Sequence, residues 1–379
     1  MLYNKPLEKI IISSVENKSS VSLIFIGERG TLKTFSSELV ISNFLKDYDS
    51  YIPFNHNDIY VVGSYYYRLA YRFFENNLSR IISNPKLNEF FVRFVGFCIA
   101  NRKLTDDKGI VSSIIYKLNE IRSSGREFKE KQVKSLLSDL EVVVSKLEKI
   151  RSIGIDVSRE VIEFVSRTSF SGYKFVIFSE FENLTLDAQN SLLKTVEEPP
   201  KGVFFILLTS NYDKILPTIR SRTFKISFLR LKGSDIKFIS ENIDEDKYYS
   251  IYDIMVDNIY DIKIGFLNKF ASTLSSGDLD SAMKFSEEVS DDEILVEKFF
   301  EVASKVLKSI LEFRAKISGL DVQLDKEILH LLPKEILDKF TISKLYKLQS
   351  YLDEGYRNIH TFNINPRYVI TNFFVEAFS

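Results

Sequence analysis

Apolar positions along the chain follow two regimes that change near residue 229. Before it, short unbroken apolar runs alternate with amphipathic stretches. Val21-Ser22-Leu23-Ile24-Phe25-Ile26, Phe175-Val176-Ile177-Phe178 and Val203 to Leu208 predict strands buried on both faces, with a last strand at Phe224 to Phe228. Between them, residues 7–15, 34–44 and 155–166 have helical spacing. Thr185 is placed to cap a helix ending at Pro199-Pro200, and a short helix is expected over 215–219. Alternating strands and helices predict an α/β domain with a mostly parallel sheet.

Residues 47–94 carry a poor pattern with a Tyr65-Tyr66-Tyr67 run, read as the start of a helical insertion covering 47–150. Within it, Val133, Leu136, Leu140, Val143, Val144 and Leu147 recur at helical spacing. No proline occurs between Pro85 and Pro199, so long helices are permitted there. A two-helix hairpin protruding from the core is expected over 107–152. Beyond 229 only helical patterns remain: 234–242, 249–272, 278–288, 291–317 (ended by Ser318-Gly319), 325–332, 340–357 and 366–378. The expected organisation is an α/β domain at 1–228, a small helical lid-like domain at 229–289 and a helical collar or oligomerisation domain at 290–379.

The first strand runs into Gly27-Glu28-Arg29-Gly30-Thr31-Leu32-Lys33-Thr34, which nearly fits G-x-x-x-x-G-K-[ST]. Leu32 stands where the second glycine of that pattern would let backbone N–H groups curl around a phosphate. Lys33 is the candidate for β/γ-phosphate oxygens and Thr34 for magnesium, on a loop that is equally readable as an ordinary strand-turn-helix junction. The strand 175–178 delivers Ser179-Glu180, where a magnesium site would have an Asp first. Serine supplies no fixed negative charge, and Glu180 alone is also readable as a solvated strand-end carboxylate.

Composition narrows the chemistry. Lys plus Arg number 51 against 52 Asp plus Glu, a net charge of -1, so the surface as a whole is not a polyanion-binding field. In the insertion, Arg122, Arg126, Lys129, Lys131 and Lys134 are interleaved with Glu127, Glu130, Asp139 and Glu141, the pattern of a solvated helix face. The single cysteine, Cys98, excludes a disulfide framework and a cysteine-cluster metal site. His56, His330 and His360 are far apart, so no metal site is expected. With no signal-like opening and no run long enough to cross a bilayer, a cytoplasmic protein without membrane partners is expected.

Residues 172–228 carry a distinctive set of words. They are Asn190-Ser191-Leu192-Leu193-Lys194-Thr195-Val196-Glu197-Glu198-Pro199-Pro200, then Phe205-Ile206-Leu207-Leu208-Thr209-Ser210-Asn211, then Leu216-Pro217-Thr218-Ile219-Arg220-Ser221-Arg222. At this spacing they resemble the ATPase modules of bacterial DNA polymerase III clamp loaders, an AAA+ family. The resemblance covers 1–46, resumes near 151 and extends weakly to the Asn363-x-Asn365-Pro366 and Phe373-Phe374 region. The broken loop, Ser179 and the missing zinc cysteines set the chain apart from gamma/tau-type subunits and make it more similar to the delta-prime branch.

That resemblance implies a stator subunit of the clamp loader in DNA replication, with gamma/tau and delta subunits as partners. Sliding clamp and primer-template DNA would be met through the assembled complex. It implies that Arg222 acts in trans as an arginine finger on ATP-Mg in a neighbouring subunit, with Thr223 in place of the family's cysteine and Arg220 as the nearby competitor. Asn211 falls at the family's sensor 1 position, and Ser281 where active members carry a sensor 2 arginine. Lys33, Thr34, Glu180 and Asn211 would form a degenerate nucleotide site. No cofactor of the chain's own is firmly expected, although binding of its own ATP stays open. The alternatives are an ATP-binding or weakly hydrolysing clamp-loader subunit and a non-replicative AAA+-like interaction module.

Overall fold

The apolar runs of the first 228 residues form one parallel, five-stranded sheet in the order β2-β3-β4-β1-β5. The computed structural model describes residues 5–16, 18–45, 52–63, 67–101, 108–123, 128–147, 152–231, 236–237, 250–260, 265–291, 293–317, 329, 332–362 and 364–379. The strands are β1 Val21–Ile26, β2 Ile59–Val62, β3 Lys174–Phe178, β4 Val203–Thr209 and β5 Phe224–Ser227. Every residue of β3 and β4 is buried, as a sheet covered on both faces requires.

Alternation along β4 divides the two layers. Phe205 and Leu207 join Val176 and Phe178 of β3 beneath helices α8 (Ile155–Ser166) and α9 (Leu186–Glu197). On the opposite face the Phe204 ring lies 4.3 Å from that of Phe44, at the end of α2 (Lys33–Phe44), and 5.4 Å from Phe175. Helix α1 (Lys5–Val15) packs beside α2.

The insertion departs from the sequence expectation in two ways. First, it is not wholly helical: β2 lies inside it and pairs with β3, Val62 opposite Phe178. This run is only four residues long, and Asn57-Asp58 before it and Gly63 after it read as loop.

Second, the hairpin of α6 (Lys108–Ser123) and α7 (Glu130–Leu147) does not protrude. Helix α7 packs against α3 (Tyr67–Asn76), α4 (Leu78–Ser83) and α5 (Pro85–Ala100) as well as α6. Val133, Leu136, Leu140, Val143, Val144 and Leu147 are all buried in that layer. Amphipathic spacing announces a buried face, not its partner. The layer is fastened to α2 by the Phe35–Phe90 edge contact at 5.0 Å and by Arg93 Nε donating to Glu38 Oε2 at 2.7 Å.

Two compact units divide the chain, Met1–Met255 and Val256–Ser379. Helix α10 is Pro217–Arg222 and α11 is Ile251–Tyr260. The second unit contains α12 (Gly265–Ser276), α13 (Leu279–Ser290), α14 (Glu293–Ile317), α15 (Lys334–Lys339), α16 (Ile342–Phe362) and α17 (Pro366–Phe378). These helices share one core in which Phe270, Phe285, Phe299, Phe373 and Phe374 interlock. The boundary expected at 289/290 falls between α13 and α14, which both contribute to that core. Asn365 caps α17, accepting from the Arg367 N–H at 2.9 Å, with Pro366 at the first helical position. The helices expected at 234–242 and 325–332 fall almost wholly outside the described residues, as do Tyr65, Tyr66, Ser318, Gly319 and Asn363.

Candidate functional site

Strand order places β1 between β4 and β5, so its connection and that of β4 leave toward opposite sides of the sheet. In open α/β sheets that arrangement opens a crevice at the carboxyl ends of the strands. There a cavity of about 40 Å3 is lined by Arg29, Lys33, Thr34, Ser179, Glu180 and Thr209, among others. It opens to solvent along one side.

The loop 27–34 continues β1, with the Gly27 N–H donating to Thr209 O at 3.1 Å. Gly30 sits at φ 74°. The Ile251 N–H donates to Gly30 O at 3.1 Å, and a Cβ on Gly30 would meet the Tyr252 nitrogen at 2.4 Å, so the start of α11 lies directly on the loop. Leu32 occupies the position before α2 with φ 64° and ψ 15°, a left-handed conformation that costs a non-glycine residue about 1–2 kcal/mol. Its side chain is buried. The turn before α2 is therefore left-handed at Leu32, with a buried leucyl group where the G-x-x-x-x-G-K-[ST] pattern has glycine.

Lys33 folds back on this loop. Its Nζ donates to Gly27 O and Glu28 O, each at 2.6 Å. Burial lowers its pKa to about 8, against the opposing pull of Glu182 and Glu180. Thr34 is buried at the first turn of α2. Glu28 is held from outside by Arg230, whose Nη2 lies 2.8 Å from Oε1.

At the end of β3 the backbone of Ser179 donates to Val62 O at 2.8 Å. Glu180 adopts φ 55°, its Oε1 lies 3.7 Å from Arg29 Nε, and its Oε2 accepts from Asn183 at 3.2 Å. The sequence reading overlooked Glu182, two residues on. Its Oε1 accepts from both the N–H and the hydroxyl of Ser210, at 2.9 and 2.7 Å. Its Oε2 is buried without a hydrogen-bond partner among the described residues. The only sequence signal for Glu182 is a second acid in Ser179-Glu180-Phe181-Glu182, two residues beyond the strand-end position. This set fits a hydrolytic Mg-ATP site poorly: Ser179 brings no charge, Glu180 is engaged by Arg29, and the Lys33 ammonium is spent on loop carbonyls.

Asn211 does not line the cavity; it is exposed, and its backbone N–H donates to Thr209 Oγ1 at 3.0 Å. Arg222, the last residue of α10, lies outside the cavity lining as well, with Nε 2.6 Å from Glu197 Oε1 and Nη1 donating to Thr218 O at 3.1 Å. Arg220 is more enclosed, with Nη1 3.1 Å from Asp213 Oδ1 and its guanidinium 5.0 Å from the Tyr212 ring centre. Thr223 turns inward and donates to Ile219 O at 3.1 Å. Gln189 of α9, fully buried, donates to Leu184 O and accepts from the Leu216 N–H, fixing the segment that leads into α10.

In the second unit Ser281 belongs to the cap of α13, its N–H and hydroxyl both donating to Asp278 Oδ2. In the insertion Lys134 pairs with Glu130 at 2.6 Å, while Asp139 takes Lys117 and Glu141 takes Arg68. Arg126, Glu127, His330 and the side chains of Arg122 and His360 lie outside the described residues. Cys98 is buried, which pushes its thiol up. Among the described residues no group of three or more His, Cys, Asp or Glu side chains is placed to hold a metal, and no helix is long and apolar enough to cross a membrane.

A family model described as "DNA polymerase III, delta subunit" matches residues 116–232, the stretch containing β3, α9, β4 and α10. The replication factor C small subunit of Saccharolobus solfataricus is 32% identical over 126 residues, covering 32% of this chain and 38% of that protein. Over this stretch the chain is similar to clamp-loader and DNA polymerase III subunits. The replication factor C small subunit of Methanococcus vannielii is 27% identical over 192 residues, 46% of this chain and 61% of that one. The DNA polymerase III subunit gamma/tau of Mycobacterium bovis is 36% identical over 96 residues, 25% of this chain and 16% of that one. The chain thus spans 38% to 61% of these replication factor C subunits and a smaller share of gamma/tau. A gamma subunit-related protein from Thermotoga maritima superposes over 98% of this chain and 97% of its own, with a TM-score of 0.42 and 16% identity.

Proposed function

We propose that this chain is a non-hydrolysing, delta-prime-like subunit of a DNA clamp loader, a stator that lends Arg222 to the ATP site of a neighbouring gamma/tau-type ATPase. The observation that carries the reading is the state of its own loop: Leu32 sits at positive φ in place of glycine, and the Lys33 ammonium is bonded to Gly27 O and Glu28 O. Exposure of Arg222 at the end of a short helix supports the donor role. Guanidinium keeps its charge at all physiological pH values and can donate to several phosphate oxygens at once. A delta-type subunit, sliding clamp and primer-template DNA would complete the assembly.

A second reading, nucleotide binding without turnover, is favoured by the gathering of Lys33, Thr34 and Ser179 around one cavity. Two measurements separate the readings. Co-purification with the delta- and gamma/tau-type subunits of the same organism is expected, whereas failure to associate favours a non-replicative module. Titration of the isolated chain with Mg-ATP is expected to give no saturable signal at millimolar nucleotide; micromolar binding would establish the second reading.

A further inference from the structure

The partner of Arg222 is itself unusual. Glu197 is the last residue of α9, and Glu198 follows it. Carboxylates at a helix C-terminus face the negative end of the helix dipole and its unpaired carbonyls, a position that favours Lys or Arg. The last turn has a basic residue of its own, Lys194, yet Glu197 is paired at 2.6 Å with Arg222, from another helix. Both side chains are about half exposed, 40% and 44%, so the pair lies at the surface and within reach of competing anions. Thr218 O occupies Nη1, while Nη2 makes no hydrogen bond among the described residues.

We propose that Glu197 is a positioning residue that holds Arg222 as an internal stand-in for phosphate, so that the guanidinium exchanges Glu197 for a γ-phosphate when a neighbouring nucleotide arrives. This rests on the arginine-donor reading above. A guanidinium paired with a carboxylate carries little net charge toward an incoming phosphate, so exchange must come first. Only a competitor of higher charge, such as a nucleoside triphosphate, displaces the pair readily. An exposed ion pair is a weak latch, and its removal is worth roughly a two- to fivefold change in an equilibrium constant.

The test uses the full chain assembled with its cognate gamma/tau- and delta-type subunits, with ATP turnover measured against ATP concentration. Glu197→Gln and Glu197→Ala, which remove the charge from a half-exposed helix end, are expected to lower KM for ATP about two- to fivefold with kcat unchanged. In an Arg222→Ala background neither change should alter KM. An unchanged KM in both single variants overturns the proposal, and so does a fall in kcat, which would make Glu197 part of the working arrangement. If Arg222→Ala by itself leaves turnover intact, the donor reading fails, and the proposal with it; if Arg222→Ala impairs turnover while the Glu197 variants match wild type, only the latch is lost.

Discussion

The ammonium of Lys33 lies 2.6 Å from the carbonyl oxygen of Gly27, the first residue of the loop that precedes it. In a working phosphate loop that charge faces the nucleotide. Here it donates to its own backbone, and burial lowers its pKa to about 8.

That shift has a definite sign in stability. The unfolded chain keeps Lys33 near 10.5 while the folded chain holds it near 8, so between these values the unfolded state binds more protons and stability rises with pH. We expect the stability difference between wild type and Lys33→Met to move by about 1–3 kcal/mol in favour of wild type from pH 7.5 to 10.5. Denaturant unfolding of both proteins across that range checks it; a constant difference contradicts the shift.

Leu32 is the second obstacle in the loop. Leu32→Gly frees the left-handed position and removes the buried side chain, and is expected to lower stability by about 1 kcal/mol while bringing saturable Mg-ATP binding into the millimolar range, where wild type shows none. Calorimetric titration reads the gain. A variant that still shows no saturable signal would mean that Leu32 is not what closes the loop.

Gly63 ends β2 at φ 117°, where a Cβ would meet the Ser179 carbonyl oxygen at 2.0 Å. Gly63→Ala is therefore expected to destabilise the protein by about 2–4 kcal/mol, read as a lower thermal midpoint. A variant as stable as wild type would contradict the close approach of β2 to the end of β3.

Gln189 joins α9 to the segment entering α10 through bonds to Leu184 O and the Leu216 N–H. Gln189→Leu leaves those buried backbone groups without partners, at a cost of about 1–3 kcal/mol. Urea unfolding measures it, and a loss below 0.5 kcal/mol, roughly the scatter of surface substitutions, would show the bonds to be dispensable.

Much of the sheet was legible because β1, β3 and β4 are buried on both faces and so read as unbroken apolar runs. The cap at Thr185 was legible as well, its hydroxyl accepting from the Ala188 N–H at 3.2 Å. Four-residue β2 was not, since its strand character depends on the neighbouring β3 and not on its own length. The packing of α7 was hidden for a related reason: an apolar stripe is the same whether one helix or four cover it. In the site, Lys33, Thr34 and Glu180 could be picked out from loop and strand-end positions. The contacts of Glu182 and Glu197 could not, because their partners are distant in sequence, Ser210 in one case and Arg222 in the other.

ATP turnover by the reconstituted assembly of this chain with its gamma/tau- and delta-type subunits, clamp and primed DNA bears most directly on the central claim. Arg222→Ala is expected to cut turnover at the adjoining site by about tenfold or more, while Lys33→Ala leaves it unchanged. Loss with Lys33→Ala and none with Arg222→Ala would make the chain's own nucleotide site the working one and contradict the account.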